Sequence, residues 1–130
     1  MPYGIRCKYL NYVIYVDAGY GEKIGGHIAW YNETTGKRFY EKRNCADAFR
    51  CELEAVIRAL EDHKELMENN EIHILLDNKA VADQLNSKSG INHDDVRSTA
   101  MQIWGIAGGK KVTFQWVPRD QNKAGKMLGS

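Results

Sequence analysis

The chain has 130 residues, of which 43% are hydrophobic, and its 18 basic and 17 acidic side chains nearly balance. This size predicts one globular domain, residues 1–130, whose core needs neither disulfides nor a structural metal. Three cysteines, none in a Cys-x-x-Cys spacing, argue against a secreted disulfide scaffold and a zinc ribbon, so we expect a cytoplasmic protein. The first residues contain no long apolar segment, which predicts neither a signal peptide nor a membrane span.

Charge is unevenly distributed along the chain. The net charge is +3 over residues 1–45, −6 over 46–77 and +4 over 78–130. An acidic block between basic ones fits a metal site flanked by phosphate-binding side chains, and it fits equally a solvated helix face rich in Glu. Charge alone leaves both interpretations open.

The first third of the chain predicts three antiparallel strands. Tyr12–Val16 is apolar at every position, as in a central strand covered on both faces, and it ends at Asp17. Ile24–Tyr31 and Arg38–Lys42 flank a Gly-containing turn, which predicts a hairpin.

The pattern changes to a helical period at Asn44. Apolar residues recur at helical spacing between Phe49 and Leu60, which predicts an amphipathic helix from Asn44 to about Met67. Asn44, with Asp47 three residues later, can cap its first turn.

The second half of the chain alternates strands and helices. Ile72–Leu76 reads as a second buried strand, and it ends, like the first, in an aspartate, Asp77. The remaining pattern predicts a short helix over Asn78–Asn86, a linker over Ser87–His93, a helix from Asp94 to about Ala107 and a fifth strand over Lys111–Val117. Trp104 and Trp116 lie within these periodic segments and are expected in the core.

This order of elements is that of an α/β fold. The helical crossovers make strands one, four and five parallel neighbours. Asp17 and Asp77 then lie together at the carboxyl edge of the sheet, where α/β proteins bind ligands.

Four motifs, taken together, carry a resemblance to a known family. They are Tyr15–Asp17, Cys51–Leu60, Leu75–Val81 and Trp116–Lys123. In this order and on these elements they resemble the type 1 ribonucleases H over nearly the whole chain. The resemblance implies a five-stranded mixed sheet in the order 3-2-1-4-5 with helices on both faces. It also implies cleavage of the RNA strand of RNA–DNA hybrids with two divalent ions.

The resemblance places the family's first three metal-binding and catalytic acids on Asp17, Glu52 and Asp77. Independently of the family, Glu52 lies at the edge of its helix's apolar stripe, so its carboxylate can point toward the two aspartates. Three clustered carboxylates repel by about 4 kcal/mol per pair at ~4 Å, and a cation removes that cost. Each residue alone is more typical of a turn, a cap or a solvated surface, but together they predict a site for Mg²⁺ or Mn²⁺.

Lys126 stands where the family has its fourth catalytic Asp. Three interpretations follow: the second metal is lost, the ammonium replaces its charge, or Asp120 supplies a replacement ligand. Asp120 is equally interpreted as a surface turn residue. Because family members continue through a full last helix, we expect the domain of residues 1–130 to lack part of that helix.

Substrate contacts are less well defined by the sequence. Arg50 is the only polar residue in the stretch where the family has its Asn-rich hybrid contacts. The nearest other candidates for phosphate and 2′-hydroxyl contacts are Asn78, Lys79, Arg119 and Lys123.

The resemblance therefore implies a metal-dependent endoribonuclease whose partner is an RNA–DNA hybrid or another nucleic acid, and we expect no membrane partner. One alternative is a catalytically impaired nucleic-acid-binding module of the same fold, which Lys126 favours. Another is a ribonuclease H-like nuclease that acts on DNA.

Overall fold

A computed structural model of the chain describes residues 10–21, 25–45, 47–87 and 94–127. Its sheet has five strands in the order 3-2-1-4-5, as predicted. They are β1 (Asn11–Gly21), β2 (Gly25–Asn32), β3 (Arg38–Arg43), β4 (Glu71–Leu76) and β5 (Val112–Trp116). The meander of β1, β2 and β3 is antiparallel, whereas β1, β4 and β5 run parallel. The predicted α/β architecture is confirmed.

The helices cover both faces of this sheet. They are α1 (Ala48–Asp62), α2 (Lys79–Ser87), α3 (Asp94–Ala107) and α4 (Lys123–Met127), with short 3₁₀ turns at Leu66–Glu68 and Arg119–Gln121. α1 packs on β1, β2 and α3, whereas α4 packs on β1 and β2. Most of the predicted linker, residues 88–93, lies outside the described residues. In the described part of the chain, no helix is long and apolar enough to cross a membrane.

The first strand is longer than predicted. β1 continues past Asp17 to Gly21 because its antiparallel pairing with β2 extends to the Gly21–Gly25 pair. Its parallel pairing with β4 stops earlier, at Tyr15 and Leu75. Asp17 thus lies within a strand, yet still beyond the end of the parallel part of the sheet.

The predicted limits of the first helix were wrong at both ends. Asp47 alone is the N-cap, and its carboxylate accepts a hydrogen bond of 2.8 Å from the backbone N–H of Arg50. Asn44 lies outside the helix. The helix ends at Asp62 because His63 leaves helical geometry, and its buried ring lies 2.7 Å from the carbonyl oxygen of Ala59.

The main core lies between α1 and one face of the sheet. Ile14, Ile28 and Ile74 are fully buried there against Leu53 and Leu60 of α1. The opposite face carries the alternate strand residues, among them Tyr15 and Tyr31, which are only partly buried. This second face is the one that α4 contacts, since the Lys123 ammonium lies over the Tyr15 ring.

The two tryptophans differ in their burial. Trp104 packs against the core, as predicted. Trp116 does not, because it lies at the end of the edge strand β5, where 47% of it is exposed.

A disulfide joins Cys45 to Cys51, a pairing that the sequence analysis did not predict. It links the segment before α1 to the first turn of the helix, and Cys51 is fully buried. Gly26 lies against it, and a Cβ at that position would clash with the Cys51 sulfur and lie 2.5 Å from the Arg43 carbonyl oxygen. Only glycine fits between β3 and α1 at this point.

Candidate active site

Three carboxylates converge at the carboxyl edge of the sheet. Asp17 comes from β1, Glu52 from α1, and Asp77 directly follows β4. One carboxylate oxygen of each lies within 4.8 Å of the others. Asp17 and Glu52 are 6% and 4% exposed, and Asp77 is half-buried. The structure thus brings together the three acids that the sequence analysis singled out.

Burial and the repulsion of neighbouring charges raise the pKa of Asp17 and of Glu52. Burial raises the pKa of Asp17 from 3.8 to about 6, and the charge of Asp77 adds to the rise. The pKa of Glu52 is raised well above its usual 4.5, first by burial and then by the charges of Asp17 and Asp77. A hydrogen bond from the Ala18 backbone opposes both shifts only in part. The cluster therefore favours a positively charged ligand.

One oxygen of the cluster indicates whether a divalent cation fits the site. Oε1 of Glu52 is buried and has no hydrogen-bond partner among the described residues. A buried acceptor left unpaired costs about 1–3 kcal/mol, and a cation would satisfy it. The donors are all carboxylate oxygens, which are the ligands that hard divalent ions prefer. The residues fit a divalent metal.

Asn122 fixes the relative position of Asp77, β1 and α4. Its amide nitrogen donates to the Val16 carbonyl at 2.8 Å and to Oδ2 of Asp77 at 3.2 Å. Its amide oxygen accepts from the backbone N–H groups of Ala124 and Gly125, at 3.0 and 3.3 Å. The sequence analysis did not assign this role to Asn122. The signal that could have indicated it is the motif Trp116–Lys123, which contains this asparagine.

Comparison with known proteins identifies the family. A family model described as reverse transcriptase-like matches residues 31–130. The chain belongs to the reverse transcriptase-like family. The matched region contains Glu52 and Asp77 and begins after Asp17. A search of curated proteins found no match.

Solved structures show which fold this reverse transcriptase-like chain has. The RNase H1 called LC11, solved with an RNA/DNA hybrid and isolated from compost, is 20% identical with a TM-score of 0.78, covering 88% of this chain and 91% of that one. RNase H1 from Halobacterium salinarum is 20% identical with a TM-score of 0.76, at 92% and 98% coverage. The N-terminal RNase H domain of rv2228c from Mycobacterium tuberculosis, also 20% identical, has a TM-score of 0.75 at 92% and 94% coverage. The predicted ribonuclease H fold is confirmed.

Arg119 is the cation whose charge reaches the cluster of this reverse transcriptase-like protein. Its positive charge lowers the pKa of both Asp17 and Glu52, but burial raises both pKa values by more. Lys126 is exposed and lines a separate cavity. Asp120 is exposed in the 3₁₀ turn, and among the described residues it is not a member of the carboxylate group.

Most of the other substrate-contact candidates have partners that explain them structurally. Arg50 forms an ion pair with Asp47, the cap of its own helix. Asn78 accepts a 3.1 Å hydrogen bond from the Val81 backbone N–H at the start of α2. Lys79, which is largely exposed, lies 3.6 Å from Asp83 one helical turn away. Lys123 is paired with Glu33.

Trp116 is a further candidate that the sequence analysis assigned to the core. Its indole N–H donates to the backbone carbonyl of Asp77 at 3.2 Å, while nearly half of the residue is exposed. It therefore presents an aromatic surface beside the carboxylates. The edge location of the strand was the signal that could have predicted this exposure.

Proposed function

We propose that this chain is a metal-dependent endoribonuclease that hydrolyses the RNA strand of RNA–DNA hybrids. The observation that carries the proposal is the meeting of Asp17, Glu52 and Asp77 at one edge of a ribonuclease H fold. The unpartnered buried oxygen of Glu52 supports a bound cation, for which we propose Mg²⁺ or Mn²⁺. The hybrid bound to the similar LC11 RNase H1 supports the class of substrate.

The reaction is addition of water to a phosphodiester phosphorus with cleavage of the bond to the 3′ oxygen. When bound, divalent ions supply activation of that water and neutralise charge on the leaving oxygen. The roles of the protein follow from its contacts. The three carboxylates would hold the ions, Asn122 orients Asp77, and Arg119 adds positive charge where the phosphate would lie.

Substrate contacts can be proposed on the same edge. Trp116 offers a face for stacking a base or sugar, and Arg119 offers a guanidinium for a backbone phosphate. Lys79, exposed two residues after Asp77, is a second phosphate contact.

A second candidate function is a nucleic-acid-binding module with little turnover. The specific observation in its favour is Lys126 in α4, at the position where the family resemblance predicts a fourth acid. A site with three carboxylates would bind a second ion weakly, and hydrolysis would then be slow.

We also infer a cytoplasmic location. In a reducing compartment Cys45 and Cys51 would be thiols, so trapping free thiols in lysed cells with an alkylating reagent tests the inference. Recovery of the pair as a disulfide from intact cells would contradict it.

The decisive experiment is cleavage of labelled substrates by the purified protein. RNA–DNA hybrid, duplex RNA and duplex DNA are each incubated with Mg²⁺, Mn²⁺ or EDTA, using wild type, Asp17→Asn and Asp77→Asn. We expect metal-dependent cleavage of the hybrid alone, abolished in both variants. Glu68→Gln is the matched control, because Glu68 is an exposed carboxylate in the 3₁₀ turn before β4, at the end of that strand away from Asp77.

Each failure of this experiment has a distinct meaning. Hybrid binding without cleavage at any metal concentration would favour the binding module. Cleavage of duplex DNA in place of the hybrid would identify a DNA nuclease. Near-normal cleavage by Asp17→Asn would refute the assignment of the carboxylate cluster.

A further inference from the structure

The cavity that Lys126 lines lies on the sheet face that α4 contacts. It has a volume of about 370 Å³ and is lined by Tyr31, Arg38, Lys123 and Lys126. Tyr31 of β2 and Arg38 of β3 are register partners, and the two lysines come from α4. Three cations from two parts of the chain thus surround one opening.

Two of these cations have no acidic partner. Lys123 forms an ion pair with Glu33, which neutralises it. The Arg38 guanidinium lies over the Tyr31 ring, 5.3 Å from its centroid. Within the described parts of the chain, neither Arg38 nor Lys126 has an acidic group within ion-pair distance. The cavity therefore presents two uncompensated positive charges, one of them stacked on an aromatic ring.

The cavity adjoins the carboxylate cluster. Lys123, which lines it, directly follows Asn122, and Asn122 is bonded to Asp77. The ammonium of Lys123 lies 5.9 Å from the centroid of the Tyr15 ring, and Tyr15 precedes Asp17 by two residues on the same face of β1. Two strand residues span about 7 Å, which is about the axial rise of two base steps in a nucleic-acid duplex.

We propose that this cavity binds a backbone phosphate of the nucleic acid held at the carboxylate cluster, through Arg38 and Lys126. A guanidinium binds a phosphate through paired hydrogen bonds, and a lysine adds a point charge. This choice of ligand rests on the proposed function, because the phosphate belongs to the nucleic acid that would lie at the carboxylate cluster. Lys126 then serves substrate binding and does not replace a metal ligand.

The test is hybrid binding in EDTA, measured by fluorescence anisotropy over a range of salt concentrations. We expect Arg38→Gln/Lys126→Gln to weaken binding by about tenfold at low salt. The slope of log affinity against log salt should fall in magnitude by about 1, as expected when one phosphate is no longer neutralised. Melting temperatures report whether each variant is folded.

Two matched double variants control for charge and for location. Arg38→Lys/Lys126→Arg keeps both charges and should keep the wild-type salt slope. Lys64→Gln/Lys110→Gln removes two lysines that lie after α1 and before β5 and do not line this cavity, and it should bind as wild type. The proposal is overturned if the Arg38/Lys126 neutral variant binds as wild type, or no worse than the Lys64/Lys110 variant.

Competition distinguishes a nucleic-acid phosphate from a free anion. We expect inorganic phosphate and a mononucleotide to displace labelled hybrid only weakly from wild type. If either ligand binds in a way that depends on Arg38 and Lys126 while hybrid affinity does not, the cavity is a free-anion site and the proposal fails. The binding assay needs no cleavage. A wild-type protein that does not cleave the hybrid would therefore refute the proposed function, and the binding test of the cavity could still be interpreted.

Discussion

Removing the charge of Asp17 should stabilise the metal-free protein at neutral pH. Asp17 has a pKa of about 6 in the folded chain against 3.8 when unfolded. Between these values the folded chain holds a proton that the unfolded chain has released, so the free energy of unfolding falls as pH rises from about 4 to about 6. The loss amounts to up to about 3 kcal/mol at pH 7. Asp17→Asn keeps the side-chain shape and removes this loss.

Thermal unfolding in EDTA at several pH values measures the effect. At pH 7.5 the melting temperature of Asp17→Asn should exceed that of wild type by roughly 10 °C, whereas below about pH 4 the two should converge. Saturating Mn²⁺ should stabilise wild type and shrink the difference, because the ion neutralises the same carboxylates. Asp83→Asn, an exposed control, should melt as wild type does. A variant no more stable than wild type at pH 7.5, or equally stabilised at pH 4, would refute the reasoning.

Three further predictions concern other parts of the molecule. Lys126→Asp should leave the number of Mn²⁺ ions bound in a calorimetric titration unchanged and should weaken hybrid binding, because Lys126 lines the separate cavity; a raised stoichiometry would show that position 126 is equivalent to the family's fourth ligand. Asn122→Asp should lower the free energy of unfolding in urea by about 2–4 kcal/mol, since it places a buried carboxylate against Asp77; native stability would contradict this role. Gly26→Ala should destabilise by about 3 kcal/mol or more, whereas Gly105→Ala, in open space on a helix, should stabilise by about 0.5–1 kcal/mol; equal melting temperatures would contradict the packing argument.

The sheet could be predicted because its signals are local. Tyr12–Val16 and Ile72–Leu76 are continuous apolar runs, and a helical period separates them, so parallel neighbours follow. The same reasoning placed Asp17 and Asp77 at one edge, and the apolar stripe of α1 placed Glu52 beside them. The catalytic and metal-binding roles of these acids stay predictions.

The features that were missed depend on contacts between distant segments. Asn44 and Asp47 are both good caps, and the pairing of Arg43 with Gly26 keeps the chain in β3 until just before Asn44, so the helix begins later. The burial of Trp116 depends on whether another strand follows β5 in the sheet. The role of Asn122 depends on the folded chain, which brings Val16 and Asp77 within hydrogen-bond distance of its amide nitrogen.

The hydrogen bond from Asn122 to Val16 joins residues 106 positions apart in the chain. Contacts of such separation form late, because a long loop must close before they contribute any stability. A nascent chain still shorter than residue 122 therefore carries all three acids without the amide that orients Asp77. The acidic centre can take the geometry described above only after residue 122 has been synthesised.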